Sequence, residues 1–283
     1  MSAEKLDLSI IIPIFNEEEN LVPLVEEITT CLGGMKYEIL FVDDGSDDDS
    51  IKVIKQLKKT YERIRIIKHR RNFGKAVALK TGFASAKGKV SITMDGDLQD
   101  DPAEIPRFLE EIKQGNDIVC GWREKRQDNI FKRWPSKVYN SLVRFMCGIK
   151  IHDMNCGFKA YDTELAKNLN LYGDMHRYTP VLGKMNGAKI SEIAINHRPR
   201  LHGVSKYGAK RLLRGLFDLI ISHSIVVELS SFAFIFNPTI EKLNNIITYI
   251  ILVKIIFKSI FILSFLIFGM PPLIQVLLFH LNK

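Results

Sequence analysis

The first part of the chain alternates short apolar runs with amphipathic stretches. The run Leu8–Ile14 is apolar almost throughout, which is typical of a parallel strand buried on both faces. The same alternation continues to residue 121. The predicted strands are Leu8–Ile14, Tyr37–Asp43, Arg63–Lys68, Lys89–Asp95 and Asp117–Gly121, and the predicted helices are Glu17–Leu32, Asp47–Thr60, Phe73–Ala86 and Pro102–Gln114. This order predicts an α/β fold with a mainly parallel sheet and helices on both faces.

The alternation weakens after residue 121. Residues 130–148 combine basic and aromatic positions in one amphipathic pattern, which indicates a helix at a membrane interface. An ordinary surface helix is the alternative. Ala188–Asn196 is a further predicted strand, and residues 205–219 form a second basic helix of the interfacial kind.

The tail, residues 220–283, is far more apolar than residues 1–219, so we divide the chain there. Ile246–Phe268 contains 23 residues, mostly Ile, Leu and Phe, and about 20 apolar residues suffice to cross a bilayer. Lys254 and Lys258 are costly inside a membrane, but they share one helix face and can extend toward its surface. We predict one or two membrane-associated helices, with an interfacial helix or hairpin as the alternative.

Charge narrows the classes of partner. The net charge of +8 and the pI near 9.2 favour anionic partners. Nucleic acid is disfavoured, because the basic residues form no recognised binding motif and lie beside apolar sequence. The four cysteines have neither metal-binding nor CxxC spacing, so free thiols are expected. Glu4 and Asp7 argue against an N-terminal signal peptide.

A first acidic motif, which begins with Asp43 and Asp44 and ends with Asp47, follows the second predicted strand. Ligands of open α/β sheets bind at the carboxyl ends of the strands. Carboxylates at that edge can accept hydrogen bonds from a nucleobase N–H or from ribose hydroxyls. A plain turn that caps the next helix explains this motif equally well.

A second acidic motif, Asp95-Gly96-Asp97-Leu98-Gln99, follows the fourth predicted strand. Two carboxylates that are two positions apart can share one Mg²⁺ or Mn²⁺, since both ions prefer oxygen ligands. Such an ion would offset the charge that develops on a leaving diphosphate. The alternative is a loop that caps the following helix, and it fits Asp100 and Asp101 better than Asp95.

Basic residues at two places are candidates for phosphate contacts. In the junction Arg70–Lys75, Gly74 permits close backbone approach and Lys75 can reach a phosphate or the membrane, although neither a GxGxxG nor a P-loop motif is present. Arginine binds phosphate in a fork geometry. The second group lies after the sheet and comprises Arg123, Lys132, Arg133, Arg200 and Lys206, with Ser136 and Ser205. Each of these basic residues could instead belong to a basic surface that faces solvent or lipid and binds no phosphate of a substrate. The segment His152–Lys159 is predicted to be a polar loop.

Four motifs together resemble inverting family 2 glycosyltransferases, in the branch of dolichol-phosphate mannose synthases and bacterial polyprenyl-phosphate glucosyltransferases. They are Ile11–Glu17, Asp43–Asp47, Asp95–Gln99 and Arg200–Lys206. The resemblance covers roughly residues 6–219 and implies a nucleotide-diphospho-sugar fold of the GT-A, Rossmann-like type. The tail departs from the family pattern, since no Arg follows Arg214 and the second apolar segment is short.

The resemblance implies a role for each matched residue. The expected donor-binding residues are Pro13, Phe15, Glu17, Asp43, Asp44, Lys75, Gln99 and Lys206. The expected metal ligands are Asp95, Asp97 and Gln99. The expected contacts to the acceptor phosphate are Arg123, Lys132, Arg133, Ser136 and Ser205. The expected catalytic residues are Asp95, Asp97, Asp153 and Arg200.

The resulting expectation is a metal-dependent hexosyltransferase at the cytoplasmic face of the inner membrane, with Mg²⁺ or Mn²⁺ as cofactor. It would transfer a sugar, with inversion, from a nucleotide-sugar donor to a polyprenyl phosphate that serves a cell-envelope glycan. UDP-glucose is the favoured donor and GDP-mannose the second. The alternatives are a family 2 enzyme with a glycan or other non-lipid acceptor, and a non-catalytic nucleotide-sugar-binding membrane protein. The sequence is compatible with a homo-oligomer and does not specify the oligomeric state.

Overall fold

A computed structural model describes residues 6–124, 148–173 and 175–199 of the protein. The strands in these ranges are β1 Leu8–Ile14, β2 Tyr37–Asp43, β3 Ile64–Lys68, β4 Val90–Thr93, β5 Ile118–Trp122, β6 Lys159–Asp162 and β7 Ile190–Ala194. The helices are α1 Leu21–Cys31, α2 Ser50–Thr60, α3 Lys75–Ser85, α4 Ile105–Lys113, α5 Thr163–Lys167 and α6 Thr179–Met185, and short 3₁₀ turns cover Pro102–Glu104 and Met175–Tyr178.

The strands form one mixed sheet in the order β3-β2-β1-β4-β6-β5-β7. All pairings are parallel except those of β6, which runs antiparallel to both β4 and β5. The expectation of a mainly parallel sheet is therefore confirmed. Strand β6 was not predicted, because its four residues begin with Lys159 and end with Asp162 and so lack an apolar run.

Two apolar clusters cover the two faces of the sheet, as the continuous apolar run of β1 predicts. Successive residues of a strand point to opposite faces. Ile10 and Ile12 pack in the cluster that contains Phe108 of α4. Ile11 packs in the other cluster, which contains Phe83 of α3. Each face of the sheet thus has its own layer of helices.

Helices α1, α2 and α3 begin two to four residues later than the sequence pattern predicts, whereas the predicted start of α4 is occupied by the 3₁₀ turn Pro102–Glu104. Before each of the first three helices, the preceding backbone N–H groups donate to side chains of a neighbouring loop. Glu17 N–H, four residues before the start of α1 at Leu21, donates to Ser50 Oγ at 3.0 Å. Phe73 N–H and Gly74 N–H, just before the start of α3 at Lys75, both donate to Asp44. These loops at the carboxyl edge of the sheet are tied together rather than helical.

No helix in the ranges 6–124, 148–173 and 175–199 is long and apolar enough to span a membrane. The predicted interfacial helix at 130–148, apart from Gly148, lies outside those ranges. The same is true of the predicted helix at 205–219 and of the tail, residues 220–283. These features and the domain boundary after residue 219 stay predictions.

Candidate active site

The loops after β1 and β2 form one connected rim. Asn16 adopts a left-handed backbone with φ of 54°, a conformation that asparagine tolerates better than most residues. Its side chain accepts from Asp47 N–H at 3.0 Å and donates to the Asp47 carboxylate at 2.5 Å. Ser46 Oγ accepts from Asn16 N–H at 2.9 Å. The motif at the end of β1 and the first acidic motif are therefore a single structural unit.

Asp44 fastens the loop between β3 and α3 to this rim. Its buried carboxylate accepts from Phe73 N–H at 2.9 Å and from Gly74 N–H at 2.7 Å. The same carboxylate lies 2.9 Å from Nδ1 of His69. Both oxygens of Asp44 thus have partners inside the protein, and the residue organises the loop that precedes Lys75.

Asp43 retains one acceptor oxygen beside this loop. Its Oδ1 accepts from Ser46 N–H at 3.1 Å. Its Oδ2 is buried and has no hydrogen-bond partner in the part of the chain that the structure describes. Buried acceptors without partners are rare in native proteins. Gly45 follows with φ of 80°, and a Cβ there would lie 2.5 Å from the carbonyl carbon of Arg71, so only glycine permits this close approach.

The second acidic motif forms a tight turn at the carboxyl end of β4. Asp95 N–H donates to Asp100 Oδ2 at 3.0 Å, and Gln99 N–H donates to Asp97 Oδ1 at 3.2 Å. Leu98, between these contacts, has φ of 63° and a buried side chain. A left-handed backbone costs a non-glycine residue about 1–2 kcal/mol. Surrounding contacts must hold the turn in this conformation.

Negative charge accumulates in the turn. Burial raises the pKa of Asp100 to about 7, and the nearby Asp95 and Asp97 also raise it. Lys75 Nζ forms an ion pair with Asp95. In the described ranges, no group of three or more His, Cys, Asp or Glu side chains has the arrangement of a metal centre. Two carboxylates and the Gln99 amide are nevertheless oxygen donors that suit Mg²⁺ or Mn²⁺, provided that a bound phosphate supplies further ligands.

A buried ion pair lies at the end of β5. Arg123 donates to Asp153 through Nε at 2.7 Å and through Nη2 at 3.1 Å. Burial alone would lower the pKa of Arg123, but the adjacent Asp153 raises it above its usual value. Glu192 of β7 accepts from the backbone N–H groups of His152 and Asp153 at 2.9 and 3.0 Å. Asp153 is thus fixed at both its backbone and its carboxylate.

Gly157 joins the ion pair to the acidic turn. A Cβ at this position would lie 2.9 Å from Asp95 Oδ2, which is closer than real Cβ atoms approach an oxygen. The same loop continues to Lys159, whose buried Nζ donates to the Met154 carbonyl at 3.2 Å. Burial lowers the pKa of Lys159. The loop that carries Asp153 is therefore packed directly against Asp95.

Most of the predicted site residues in the described ranges lie in these loops. Pro13 is the last residue but one of β1 and lies opposite Val42 of β2, and Phe15 and Glu17 follow in the rim. Six predicted residues lie outside the described ranges, namely Lys132, Arg133, Ser136, Arg200, Ser205 and Lys206. Their positions stay predictions.

Sequence reasoning missed four residues that shape the site. Lys159 had a signal, since it is a lone charge beside the apolar Phe158 and Ala160. Asp100 was assigned only to helix capping, and it instead accepts from Asp95 N–H. Glu192 and Arg198 had no local signal, because their partners are distant along the chain.

Residues 9–169 match the family model described as Glycosyl transferase family 2. The dodecaprenyl-phosphate galacturonate synthase of Rhizobium johnstonii is 38% identical over 224 residues, which cover 77% of this chain and 66% of that protein. The undecaprenyl-phosphate 4-deoxy-4-formamido-L-arabinose transferase of Pseudomonas aeruginosa is 36% identical over 224 residues, which cover 78% of this chain and 66% of that protein. The chain thus matches about two thirds of the length of these relatives.

Solved structures share the fold. The glucosyl-3-phosphoglycerate synthase of Mycobacterium tuberculosis, crystallised with Mn²⁺, UDP and phosphoglyceric acid, superposes with a TM-score of 0.60 at 16% identity. The superposition covers 77% of this chain and 78% of that one. At this identity the likeness concerns the fold alone, and it agrees with the expected GT-A-like sheet. Together with the family match over residues 9–169, it leads to one conclusion: the chain belongs to glycosyl transferase family 2.

Proposed function

We propose that the protein transfers a sugar, with inversion, from a nucleotide-sugar donor to a polyprenyl phosphate. The names of the Rhizobium and Pseudomonas relatives, which are 38% and 36% identical, support a polyprenyl-phosphate acceptor. The observation that carries the proposal is the Arg123–Asp153 pair beside the acidic turn. In this pair a buried guanidinium is held by a carboxylate whose two oxygens both accept from it. We expect the acceptor phosphate to bind beside this guanidinium.

The state of Asp153 favours a phosphate acceptor over a hydroxyl. A hydroxyl acceptor has to lose a proton, which requires a positioned general base. Both oxygens of Asp153 accept hydrogen bonds from Arg123, so this carboxylate holds the guanidinium and is not positioned as the base that a hydroxyl acceptor requires. A phosphate monoester is already ionised at neutral pH and needs no strong base. Asp153 then orients Arg123, and Arg123 meets the incoming phosphate.

The donor would lie across the rim, with its nucleoside near Asp43 and its diphosphate near the acidic turn. The Oδ2 of Asp43, which is buried and has no hydrogen-bond partner among the described residues, offers an acceptor for a nucleoside N–H or hydroxyl once the rim adjusts to expose it. Lys75 would provide positive charge beside the diphosphate. The chain's contribution to the rate would be positioning and electrostatic stabilisation rather than proton transfer. UDP-glucose is our first choice of donor and GDP-mannose the second.

Asp95, Asp97 and Gln99 would hold a divalent cation, Mg²⁺ or Mn²⁺. When bound, such an ion stabilises the charge that develops on the leaving diphosphate. Burial and, after it, the nearby Asp95 and Asp97 raise the pKa of Asp100, and a cation bound in the turn would relieve the repulsion among these carboxylates. Lys132, Arg133, Ser136 and Ser205 stay proposed acceptor contacts, and Arg200 and Lys206 stay proposed diphosphate contacts.

A lipid acceptor requires a membrane location, and we place the protein at the cytoplasmic face of the inner membrane. The basic amphipathic pattern at 130–148 and the apolar residues 246–268 support this location. We propose residues 1–219 as the catalytic domain and residues 220–283 as the membrane-associated tail.

The test is transfer of radiolabelled sugar into lipid. Membranes that contain the protein are incubated with a lipid extract, Mn²⁺ or Mg²⁺, and one donor at a time. The donors are UDP-glucose, GDP-mannose and nucleotide-linked forms of galacturonate and 4-deoxy-4-formamido-L-arabinose. Label that enters the organic phase and disappears with EDTA supports the proposal. Label in a water-soluble product would favour a non-lipid acceptor, and no turnover with any donor would favour a binding protein.

A further inference from the structure

Arg198 follows β7 and contacts the acidic turn through its backbone. Its N–H donates to the Gln99 carbonyl at 3.0 Å. In return, Gln99 Nε2 donates to the Arg198 carbonyl at 3.3 Å. The adjacent residues His197 and Asp100 form an antiparallel bridge. The segment after β7 is thus paired with the turn at the residue that we propose as a metal ligand.

The side chain of Arg198 extends this attachment to α1. Its Nη1 donates to Glu27 Oε2 at 2.7 Å, and its Nη2 lies 2.7 Å from Asp101 Oδ1. Burial alone would lower the pKa of Arg198, but the hydrogen bonds to Glu27 and Asp101 raise it. Asn196 Nδ2 also donates to Asp101, at 3.2 Å. One guanidinium therefore bridges helix α1 and the end of the turn.

The turn needs such external support. Leu98 holds a left-handed backbone with φ of 63° while its side chain is buried. An unfavourable backbone conformation persists only where the surroundings over-determine it. The backbone of Arg198 contacts Gln99 and its guanidinium contacts Asp101, and both residues lie on the C-terminal side of Leu98. They are well placed to keep the turn from relaxing.

We propose that Arg198 is a positioning residue, which holds the acidic turn in the conformation that presents Asp97 and Gln99 to a divalent cation and a diphosphate. The identity of the ligand, a divalent cation with a diphosphate, rests on the proposed function. The role of Arg198 in holding the turn does not. Removal of the guanidinium would free the Asp101 end of the turn from α1, and Asp97 and Gln99 would then meet the cation less often in the binding geometry.

The structural part is tested by hydrogen exchange of the full chain without any ligand. Mass spectrometry would follow peptides that contain residues 95–101 in the wild type, Arg198→Gln and Arg198→Lys. We expect faster exchange in Arg198→Gln and an intermediate rate in Arg198→Lys, which keeps the charge but not the fork. Arg63→Gln is the matched control, since Arg63 donates to the Met35 carbonyl and lies over the Tyr37 ring at the start of β2, at the opposite edge of the sheet from the turn.

The ligand part is tested by electron paramagnetic resonance of free Mn²⁺ in the presence of UDP. The Mn²⁺ concentration for half-saturation should rise about 10-fold or more in Arg198→Gln and stay unchanged in Arg63→Gln. With an active donor, the KM for that donor should rise while kcat at saturating Mn²⁺ changes little. If Arg198→Gln does not fold, Glu27→Gln removes one arm of the fork and should show a smaller change in the same direction.

The outcomes separate the inference from the proposed function. Unchanged exchange of residues 95–101 in both Arg198→Gln and Glu27→Gln would overturn the inference, whatever the enzyme does. Unchanged Mn²⁺ binding in a variant whose turn exchanges faster would also overturn it. Failure of the wild type to bind Mn²⁺ with UDP would instead contradict the proposed metal site, and the exchange result would still decide the positioning role.

Discussion

The carboxylate of Asp153 receives two hydrogen bonds from the guanidinium of Arg123, at 2.7 and 3.1 Å. Only 5% of the Asp153 side chain and 13% of the Arg123 side chain are exposed. The sequence assigned the two residues to separate roles, one to catalysis and one to the acceptor. The structure makes them one unit whose members are 30 positions apart.

Asp153→Ala should therefore destabilise the fold. A buried ion pair that loses one partner leaves an uncompensated charge, which costs about 3–5 kcal/mol. Denaturant unfolding measures the change in the free energy of unfolding. Lys89→Ala is the control, since the Lys89–Asp7 pair is more than half exposed and such pairs contribute about 1 kcal/mol or less. Equal losses in the two variants would show that the Arg123–Asp153 pair is not specially important to stability.

Gly157→Ala should lower transfer activity more than stability. Its Cβ would lie 2.9 Å from Asp95 Oδ2 and 3.0 Å from Oδ1, so the carboxylate of Asp95 has to move. Displacement of a binding group by about 1 Å can cost 100-fold in rate, and we expect a loss of at least about 10-fold. Gly33→Ala, where a Cβ would meet nothing within 4 Å, is the control. Full activity of Gly157→Ala would exclude a role for the position of Asp95.

Asp100 should make stability depend on pH when EDTA keeps metal away. Burial raises the pKa of Asp100 to about 7, against about 3.9 for an unfolded aspartate. Between these values the folded state keeps a proton that the unfolded state releases. The free energy of unfolding therefore falls as pH rises from 4 to 7, by up to about 1.4 kcal/mol per pH unit. Asp100→Asn should remove this slope, and an identical slope in that variant would refute the assignment.

Asp97→Ala should abolish transfer and leave the fold intact. Asp97 is a proposed metal ligand, and loss of one strong electrostatic contact commonly costs 100-fold or more in rate, so we expect at least about that loss. The carboxylate also raises the pKa of Asp100, so its removal relieves repulsion in the turn. Asp7→Ala, far from the site, is the control for a lost carboxylate. If the Asp97→Ala variant transferred sugar at the wild-type rate, Asp97 would not be a metal ligand.

Local sequence patterns predicted the central sheet well. Strands β1 and β2 begin and end at the predicted residues, because their continuous apolar runs reflect burial on both faces. Helix starts were less accurate, since the residues that precede α1 and α3 form loops whose backbone N–H groups are captured by Ser50 and Asp44. The acceptor side chains belong to other loops, so the sequence around each helix start does not reveal these hydrogen bonds.

The site was predictable where it depends on short motifs. Asp95 and Asp97 directly follow a buried strand in the sequence. This position predicted that they would lie together at the carboxyl end of β4. The Arg123–Asp153 pair, Gly157 against Asp95 and the Arg198 fork connect segments that lie 30, 62 and 171 positions apart, the last to Glu27. Such contacts depend on the order of the strands in the sheet, which a single sequence pattern does not specify.

The most direct test of the central claim uses the purified full chain with undecaprenyl phosphate, Mn²⁺ and each nucleotide-sugar donor in turn. Mass spectrometry of the lipid fraction identifies the product, with Asp97→Ala as the inactive control. We predict a polyprenyl-phosphate-linked monosaccharide with one donor, formed by the wild type and absent with EDTA or Asp97→Ala. An unmodified lipid together with a glycosylated water-soluble acceptor would contradict the account.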